Sequence, residues 1–500
     1  MFILKKGSGF KDVFTLLTGL FFLQTINAQK TVVDSLQTLQ DSRVLDIYNL
    51  TGNVAYSGAA MPSYGYASAN ICHTTGLFKQ PMKADNATVL SLETGGFKKI
   101  NNWKYHGYFK HKKTHENKVS WSGVYDAYDD NPFIWADSSS GDWERDEINA
   151  LIGITTPTIA KKITAGLQIV YSIGSGARLS EPKPFFRYRN IALQPGFSWL
   201  LSNKQEIGIT GKIGFIKEEN ELGFYNTSGD NVLLYRLRGY GTFSKTPFVS
   251  GERKRIQTEA GTTLHYKNSW KDYQLLLAIN ALQRDDEITE GIALPVTTGY
   301  FTGIEVGGLI SLYKGNSSKG KSITINSSSK NGYADDMIFR AESASSVYQR
   351  IAINSSIWQL NNTTNTLWQY SFAPVFTFID NTDQATLTQF TAGILQVTGS
   401  INYRRQVSKR ILINASVDAG YSYVADDYFS STRPNVITKE LVFPNYIFYA
   451  SNYIIANARF GINFLPFNKA GSHEVYLSTQ NKLSTANSRN NLQVTYSIIL

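Results

Sequence analysis

The sequence contains one cysteine, Cys72, among 500 residues. A single thiol excludes an intramolecular disulfide and a metal cluster held by cysteines. Cys72 also lies far from the N-terminal end of the chain, so it is not the acylated cysteine of a lipoprotein. A lone thiol is compatible with secretion, because an oxidising compartment imposes no partner on it.

Long apolar runs are also missing. No stretch after residue 30 approaches the roughly 18 to 20 apolar residues that a membrane-spanning helix needs. Only helices and closed barrels satisfy every backbone polar group in lipid, so a secreted soluble protein or a closed β-barrel remains. Charged residues make up only 18%, and the 13 prolines do not cluster into a linker. One large all-β unit is therefore favoured over several domains.

Residues 1–28 predict a secretory signal peptide. Three lysines precede an apolar run from Val13 to Leu23, and a cleavage site follows at Ala28. This order of basic, apolar and small residues is typical of an export signal, and the apolar run is too short for a membrane anchor. The mature chain is thus expected outside the cytoplasm.

The chain is rich in period-two alternation of apolar and polar residues. Between Lys162 and Ile173 every second residue is apolar, and the opposite face is mostly polar. The apolar face consists of Ile163, Ala165, Leu167, Ile169, Tyr171 and Ile173. Several such segments exceed the roughly 5 to 6 residues of an ordinary strand and reach the roughly 9 to 11 residues of a membrane-spanning one. Aromatic residues recur near their ends, as in an interfacial girdle.

These segments predict an all-β fold, a transmembrane antiparallel β-barrel of about 14–16 strands over residues 88–500. Short turns alternate with long polar connections, as they do between the two ends of outer-membrane barrels. The long connections are expected at residues 129–145, 219–230, 284–298 and 425–440. The alternation continues from Leu492 to Leu500, which resembles the terminal strand that barrel-assembly machinery reads. The expected location is the cell outer membrane, surrounded by its lipids.

Residues 29–87 follow a different pattern. Val32, Leu36 and Leu39 have a short helical spacing, and the stretch that follows is rich in Gly, Ala, Ser and Tyr. Three arrangements are open for this N-terminal segment: a plug in the lumen, early strands of the barrel, or a periplasmic tail.

An acidic and aromatic segment lies between residues 125 and 147. Carboxylate oxygens are the ligands that a hard cation such as Ca²⁺ takes, so the segment is a candidate ligand or cation loop, although its spacing matches no calcium loop. Its candidate residues are Asp126, Asp129, Asp130, Asp137, Asp142 and Glu144. The alternative is a solvated or lumen-folded loop that turns at Asn131-Pro132. The sequence leaves the binding of a metal open.

Four arginines later in the chain form a candidate basic cluster of the lumen. If Leu233, Tyr235 and Leu237 face lipid, the arginines that alternate with them face inward, since arginine is costly on a lipid face. The cluster consists of Arg236, Arg238, Arg253 and Arg255. An acidic loop facing a basic wall would select solutes by their charge.

Other classes of function find little support. The formal net charge is +10, but no run of five or more basic residues occurs, so nucleic acid is not an expected partner. None of the six histidines lies in an HExxH motif or in a recognisable pairing of nucleophile and base. The chain is therefore not expected to be an enzyme, and no cofactor is expected.

The signal peptide, the strand pattern and especially the segment YDDNPFIWADSSSGDW, residues 128–143, resemble an uncharacterised family of Bacteroidota outer-membrane barrels. The resemblance covers nearly the whole mature chain. Genes of that family lie near TonB-dependent receptors, some of them linked to iron uptake, so the resemblance implies a role in nutrient acquisition. The family's motif has no established chemistry, and no functional residue is carried over from it.

Two functions lead the expectations. The first is a porin-like pore or an accessory component for the uptake of small solutes or nutrients, iron-related ones included. The alternative is a non-conducting barrel that scaffolds a surface lipoprotein or a TonB-dependent receptor. The chain itself shows no clear TonB box and no large N-terminal plug domain. A structural or adhesive role of the extracellular loops comes third.

Overall fold

The architecture comes from a computed structural model that describes residues 47–56, 63–222, 233–247, 251–316, 318–361, 363–464 and 471–499. The predicted signal peptide, residues 1–28, lies outside these ranges. Strands dominate the described chain, and its helical turns are few and short. Among these residues, no helix is long and apolar enough to cross a membrane.

Strands follow one another along almost the whole described chain. Their bounds are β1 (Tyr64–Thr75), β2 (Asn86–Ile100), β3 (Trp103–Val119), β4 (Trp135–Ala136), β5 (Gly141–Thr155), β6 (Ile163–Arg178), β7 (Phe185–Leu200), β8 (Gln205–Leu222), β9 (Leu233–Leu237), β10 (Phe243–Pro247), β11 (Gly251–Trp270), β12 (Tyr273–Glu290), β13 (Val296–Gly315), β14 (Lys319–Asp336), β15 (Ala341–Asn361), β16 (Thr366–Asp383), β17 (Thr388–Ser408), β18 (Ile411–Ser431), β19 (Tyr453–Phe464), β20 (Ser472–Ser484) and β21 (Ser488–Ile499). The helical elements are α1 (Ile47–Thr51), a 3-10 turn (Val54–Tyr56), a π-helical turn (Thr438–Val442) and α2 (Phe443–Tyr449).

Eighteen of the strands form one closed antiparallel sheet. Each barrel strand pairs with the next one along the chain, with β4, β9 and β10 left out, and β21 pairs with β1 to close the ring. Across this seam Ala69 lies opposite Tyr496 and Ile71 lies opposite Val494. The predicted all-β transmembrane antiparallel barrel is confirmed.

The predicted count of about 14–16 strands is too low. Strand β1 lies within residues 29–87, so the barrel begins at Tyr64 rather than at residue 88. Very short turns also leave little break in the alternation. Between β2 and β3 the turn consists of Asn101 and Asn102, whose φ angles are 48° and 68°. Asn adopts such left-handed conformations more readily than most residues do, and two of them suffice to reverse the chain.

The outer face of the barrel is apolar. On β8, Ile207, Ile209 and Ile213 point outward and are 42%, 44% and 65% exposed, whereas Thr210 points inward and is buried. Apolar side chains that cover the outside of a closed barrel contact the hydrocarbon of the bilayer. The protein is therefore an outer-membrane β-barrel.

The two ends of the barrel differ in their connections. One end has short turns, and at the other end the strands are joined by long connections, between β1 and β2, β3 and β5, β8 and β11, and β18 and β19. Long connections of such barrels are extracellular. The long connections predicted at residues 129–145, 284–298 and 425–440 lie at this end, but the strands continue into them, and β18 runs to Ser431. Of the predicted connection at 219–230, residues 223–230 lie outside the described ranges. Strands β11 to β18 have 18 to 21 residues, so this part of the wall projects beyond the membrane.

A charge placed on the outer face should destabilise the barrel much more than the same charge on the inner face. Ile401 of β17 is 47% exposed on the outside, and its neighbour Ser400 faces the lumen opposite Asp418 of β18. Ile401→Arg is expected to cost about 2–4 kcal/mol of unfolding free energy in lipid vesicles, as measured by urea titration. Ser400→Arg is the matched control and should be nearly neutral. Equal losses in the two variants would contradict the assignment of the faces.

Candidate functional site: the capped mouth of the barrel

Three of the long connections pack together at the extracellular end. Residues 120–140, 233–247 and 432–452, called the cap from here on, meet in one buried hydrophobic cluster with two residues of the wall. The buried members are Trp121, Val124, Ile134, Ala136, Tyr235, Leu237, Ile379, Phe390, Ile437, Leu441 and Val442. The cap is thus held by a hydrophobic core of its own.

The cap spans the mouth of the barrel. Phe133, from the connection between β3 and β5, shares a buried cluster with Ile288 of β12, Ala334 of β14 and Ala344 of β15. Strand β15 lies nine places from β3 in the ring of eighteen strands. This connection therefore crosses the lumen and packs against the opposite wall, and the mouth is covered by folded structure.

Strands β4, β9 and β10 form a small three-stranded sheet within the cap. The prediction that Leu233, Tyr235 and Leu237 face lipid is wrong, because Tyr235 and Leu237 are buried in the core of the cap. Arg236 accordingly lies in the cap rather than on the wall, with its Nη1 3.6 Å from a carboxylate oxygen of Glu290. Alternation predicts a strand with one apolar face, but it does not distinguish a face that contacts lipid from a face that packs on another layer of the protein.

An ionic layer around Arg255 lies beneath the hydrophobic core of the cap. Arg255 is buried on the lumen side of β11, and its Nη1 donates to the carboxylate of Asp129 in the cap. Its Nε and Nη2 donate to Oδ2 of Asp286 on β12 at 3.1 and 2.9 Å. Oε2 of Glu218 on β8 lies 3.8 Å from Nη1 of Arg255. The acidic segment and the arginine cluster predicted from the sequence therefore meet at Asp129 and Arg255.

Two further arginines of the predicted cluster bind the cap to the wall. Arg253 of β11 donates to the carbonyl oxygen of Phe133 at 2.6 Å and to the side chain of Asn220 at 2.7 Å. Arg238, which belongs to the cap, lies 3.4 Å from a carboxylate oxygen of Asp336 at the end of β14. Both arginines are buried. Charged pairs buried in this way hold their partners strongly once formed.

The structure does not bring the six predicted acidic residues together. Asp126 pairs with Lys83 at 3.4 Å, Glu144 lies 2.7 Å from Nδ1 of His115 on the outer face, and Asp142 accepts a backbone N–H at 3.0 Å. In the described ranges no three His, Cys, Asp or Glu side chains are grouped so that they could hold a metal ion. Most of the predicted carboxylates thus have separate protein partners.

Two residues that anchor the cap were not predicted from the sequence. Arg178, fully buried, donates to Asp137 at 2.9 Å. Asp383, also fully buried, accepts the backbone N–H groups of Gly241 and Thr242, both at 2.8 Å. Arg178 and Asp383 are the last residues of β6 and β16. A charged residue that ends a long barrel strand on the loop side was the signal that could have identified them.

Acidification below about pH 4 should loosen the cap at Asp129. Burial opposes ionisation of this carboxyl, but Arg255 and Arg284 outweigh it and hold the pKa of Asp129 below its ordinary value. A carboxyl with a lowered folded-state pKa stabilises the fold above its unfolded-state pKa, and the stabilisation is lost as pH falls through the folded value. Conductance in planar bilayers should therefore stay constant down to about pH 4 and rise as the pH falls further.

The variant Asp129→Asn provides the control for this pH step. It lacks the titrating group and its charge-assisted bond to Arg255, so its conductance should already be raised at pH 7. It should also show a smaller further rise in acid. An acid step of the same size in both proteins would assign the titration to a different group.

Residues 47–56 of the N-terminal segment lie in the lumen, near the end with short turns. Asn53 is completely buried, and its side-chain amide donates to the carbonyl oxygen of Phe197 on β7 at 3.0 Å. The hydroxyl of Thr155 on β5 donates to the carbonyl oxygen of Val54 at 2.7 Å. Of the three arrangements that the sequence left open for residues 29–87, the described residues therefore show two, a lumenal piece and the early strand β1.

Loss of the Asn53 side chain should release residues 47–56 from the wall. Asn53→Ala removes the bond to Phe197 and the one that its Oδ1 accepts from the N–H of Ala55 at 2.9 Å. The expected cost is about 1–3 kcal/mol of local stability, seen as faster hydrogen exchange in residues 47–56. Asn402→Ala, at a lumen position on β17, is the control and should leave that exchange unchanged.

A cavity of about 420 Å³ lies beneath the cap, between α2, the connection at 120–140 and the lumen face of strands β11 to β17. Its volume falls within the range of roughly 300–1,000 Å³ that is usual for sites of small ligands. The walls combine aromatic rings, such as Phe301 and Phe390, with charged groups, among them Asp130, Arg284 and Lys330. Of the six candidate acidic residues predicted from the sequence, Asp130 is the one that lines it.

Comparisons with known proteins identify a family for this chain and several solved structures that are similar to it. The profile of a family of unknown function, DUF6850, matches residues 54–500. Comparison with curated protein sequences gives no match.

Among solved structures, the ferric preacinetobactin receptor BauA from Acinetobacter baumannii is 8% identical, with 87% of this chain and 80% of that chain covered and a TM-score of 0.38. The copper transporter OprC is 7% identical, with 88% and 81% covered and a TM-score of 0.40. The translocator domain of the autotransporter NalP from Neisseria meningitidis is 9% identical, with 94% and 99% covered and a TM-score of 0.27. At such low identities and scores, nothing that those proteins bind is carried over to this chain.

Proposed function

The chain belongs to the family of unknown function DUF6850, and from that premise we propose that it is an uptake barrel of the outer membrane, closed at rest by its cap and opened for a specific small solute. The observation that carries the proposal is the cap itself. A general diffusion pore needs an unobstructed lumen, and here a connection crosses the mouth and buries Phe133 against the opposite wall.

The inner wall away from the cap supports passage of a polar solute. On β17 to β21 and β1 the positions that alternate with the outward apolar residues are mostly uncharged and hydrophilic. They include Asn70, Ser400, Asn402, Asn414, Ser416, Asn457, Gln480 and Gln493. Side chains of this kind exchange hydrogen bonds with water and with polar solutes without holding them tightly. A barrel of this many strands also has the width for an aqueous lumen.

Single-channel recording of the intact protein in planar bilayers tests the proposal. The expected trace at pH 7 shows a mostly closed channel with rare, brief openings. Saturable uptake of a solute into liposomes that contain the barrel would accompany it. A large, persistent conductance of the intact protein would reject the closed resting state, and a barrel that never opens under any solute would reject uptake.

A second candidate function is a scaffold for a surface lipoprotein or receptor, and one observation favours it. The neighbouring rim connections between β12 and β13 and between β14 and β15 expose Ile292, Leu294, Ile338 and Phe339, with Leu294 84% exposed. Adjacent apolar side chains at a loop tip are typical of a protein interface. Purification from native membranes would distinguish the two functions. A scaffold should bring down one partner that is lost when Ile338 and Phe339 are changed to Ser.

A further inference from the structure

Two groups of opposite charge face the cavity without an ion pair. Arg284 of β12 holds its guanidinium 4.8 Å from the centre of the Phe301 ring, and its Nε is buried without a hydrogen-bond partner. The carboxylate of Asp130, in the cap, is exposed to the cavity. Among the described residues neither group has a salt bridge, and they form none with each other. A buried donor without a partner costs free energy that a ligand can recover.

The other charges of the cavity are already matched. Lys330 lies 3.6 Å from Glu305, and Glu259 lies 2.7 Å from Lys212. Arg284 and Lys330 act on Asp130 only through space, and the loss of bulk water around its carboxyl still raises the pKa of Asp130 above the ordinary range. One anionic and one cationic group therefore remain for a ligand.

The wall beside these charges is aromatic. Phe301, Phe390, Tyr348 and Tyr449 all line the cavity, and the rings of Phe390 and Tyr449 are stacked with their centroids 6.3 Å apart. The Tyr449 hydroxyl is occupied by the side-chain amide of Gln80 at 3.0 Å. Aromatic surface of this kind suits an apolar side chain of a ligand.

We propose that the cavity binds a zwitterionic small molecule with an apolar side chain, a short peptide for example, with its ammonium group at Asp130 and its carboxylate at Arg284. A purely anionic ligand would bring a further negative charge close to Asp130, and a purely cationic one would face Arg284. A ligand that carries both charges satisfies both groups. This inference rests on the proposed function and names the class of solute.

Binding to the full-length protein in lipid nanodiscs tests the inference, with ¹⁹F NMR as the readout. The probe is the dipeptide 4-fluorophenylalanyl-glycine, compared with its N-acetyl derivative, which lacks the ammonium group, and its C-terminal amide, which lacks the carboxylate. The free dipeptide should bind, and the affinity of each derivative should be lower by at least about tenfold, because each loses one charge-assisted hydrogen bond.

Variants assign each charge to its partner. Arg284→Gln should weaken binding of the free dipeptide about tenfold and leave binding of the C-terminal amide unchanged. Asp130→Asn should also weaken binding of the free dipeptide about tenfold and leave binding of the N-acetyl derivative unchanged. Arg284→Lys keeps the charge and should keep the preference for a free carboxylate. Arg459→Gln removes a lumen arginine that contacts Tyr476 outside the cavity and is the matched control. Heat-modifiable migration on gels verifies that each variant is folded.

The outcomes separate the inference from the proposed function. Equal binding of the three probes, or no binding of any, would overturn the zwitterion site even if the barrel is closed at rest. The same holds if Arg284→Gln weakens all three probes alike, since that is a structural effect. Selective binding by a barrel that conducts persistently would retain the site and reject the closed resting state.

Discussion

Replacing residues 120–140 by a two-residue Asn-Gly turn is expected to convert the closed barrel into an open pore. Val119 of β3 and Gly141 of β5 lie opposite each other in the ladder, so a short hairpin turn joins the strands without disturbing the wall. The deletion removes Trp121, Val124 and Ile134 from the core of the cap and takes Asp129 away from Arg255.

The size of the effect follows from what remains in the mouth. The wall of eighteen strands is intact, and barrels of about 16 to 18 strands are wide enough for an aqueous channel. Residues 47–56 stay in the lumen of both the deleted and the intact protein, so they do not account for a difference between the two. Single-channel conductance should therefore rise on the order of tenfold over the intact protein. The deleted protein should still migrate as a folded, heat-modifiable barrel.

A second shortened loop serves as the matched control. Glu290 of β12 and Val296 of β13 are also opposite each other, so residues 291–295 can be replaced by the same turn. That connection belongs to the rim and contributes nothing to the buried core of the cap. If both deletions raise the conductance equally, the closure of the mouth does not depend on the connection at 120–140.

Loss of Arg255 is expected to cost the cap about 3–5 kcal/mol of stability, the penalty typical of a buried ion pair that loses one partner. Arg255→Ala leaves the buried carboxylate of Asp286 without its guanidinium, and Glu218 close by loses a compensating charge. Among the described residues, Asp129 then has no charged partner that ties it to the wall by a direct bond. The connection at 120–140 should open, with faster hydrogen exchange and protease cleavage within it.

Neutralising Arg255 together with the two carboxylates that it bonds should restore most of that loss, because Glu218 keeps Arg253 3.9 Å away. A variant with Arg255→Met, Asp129→Asn and Asp286→Asn contains no uncompensated charge at these three positions, and such replacements are often nearly neutral. Arg340→Ala, at an exposed position in the connection between β14 and β15, controls for the simple removal of an arginine. If the triple variant is as unstable as Arg255→Ala, the loss reflects packing rather than uncompensated charge.

Much of the wall could be predicted from the sequence, because a barrel strand is a local pattern. The alternation from Ile163 to Ile173 falls within β6, and its apolar residues lie on the outer face with Ile163, Leu167 and Ile169 each at least 40% exposed. The number of strands was less accessible, since turns such as Asn101-Asn102 barely interrupt the alternation.

The candidate site was predicted only in part. The density of acidic residues around Asp129 and the arginines up to Arg255 singled out two segments that the structure brings into contact, and their opposite charges suggested that they face each other. No local pattern indicated that β9 lies inside the cap, because Tyr235 and Leu237 alternate as a membrane strand does. Arg284 was not predicted either. It stands out because its guanidinium has no ion pair among the described residues, and that depends on which side chains the neighbouring strands place around it.

The class of the molecule, a lipid-facing barrel, follows from the order of its amino acids, because which face of a strand is apolar depends on residues two positions apart. The closure of the mouth depends on contacts between distant parts of the chain. Asp129 and Arg255 are 126 residues apart in the chain, and Phe133 meets the wall nine strands away. Such long-range contacts depend on the number of strands and on how the ring closes, and no local sequence pattern contains that information.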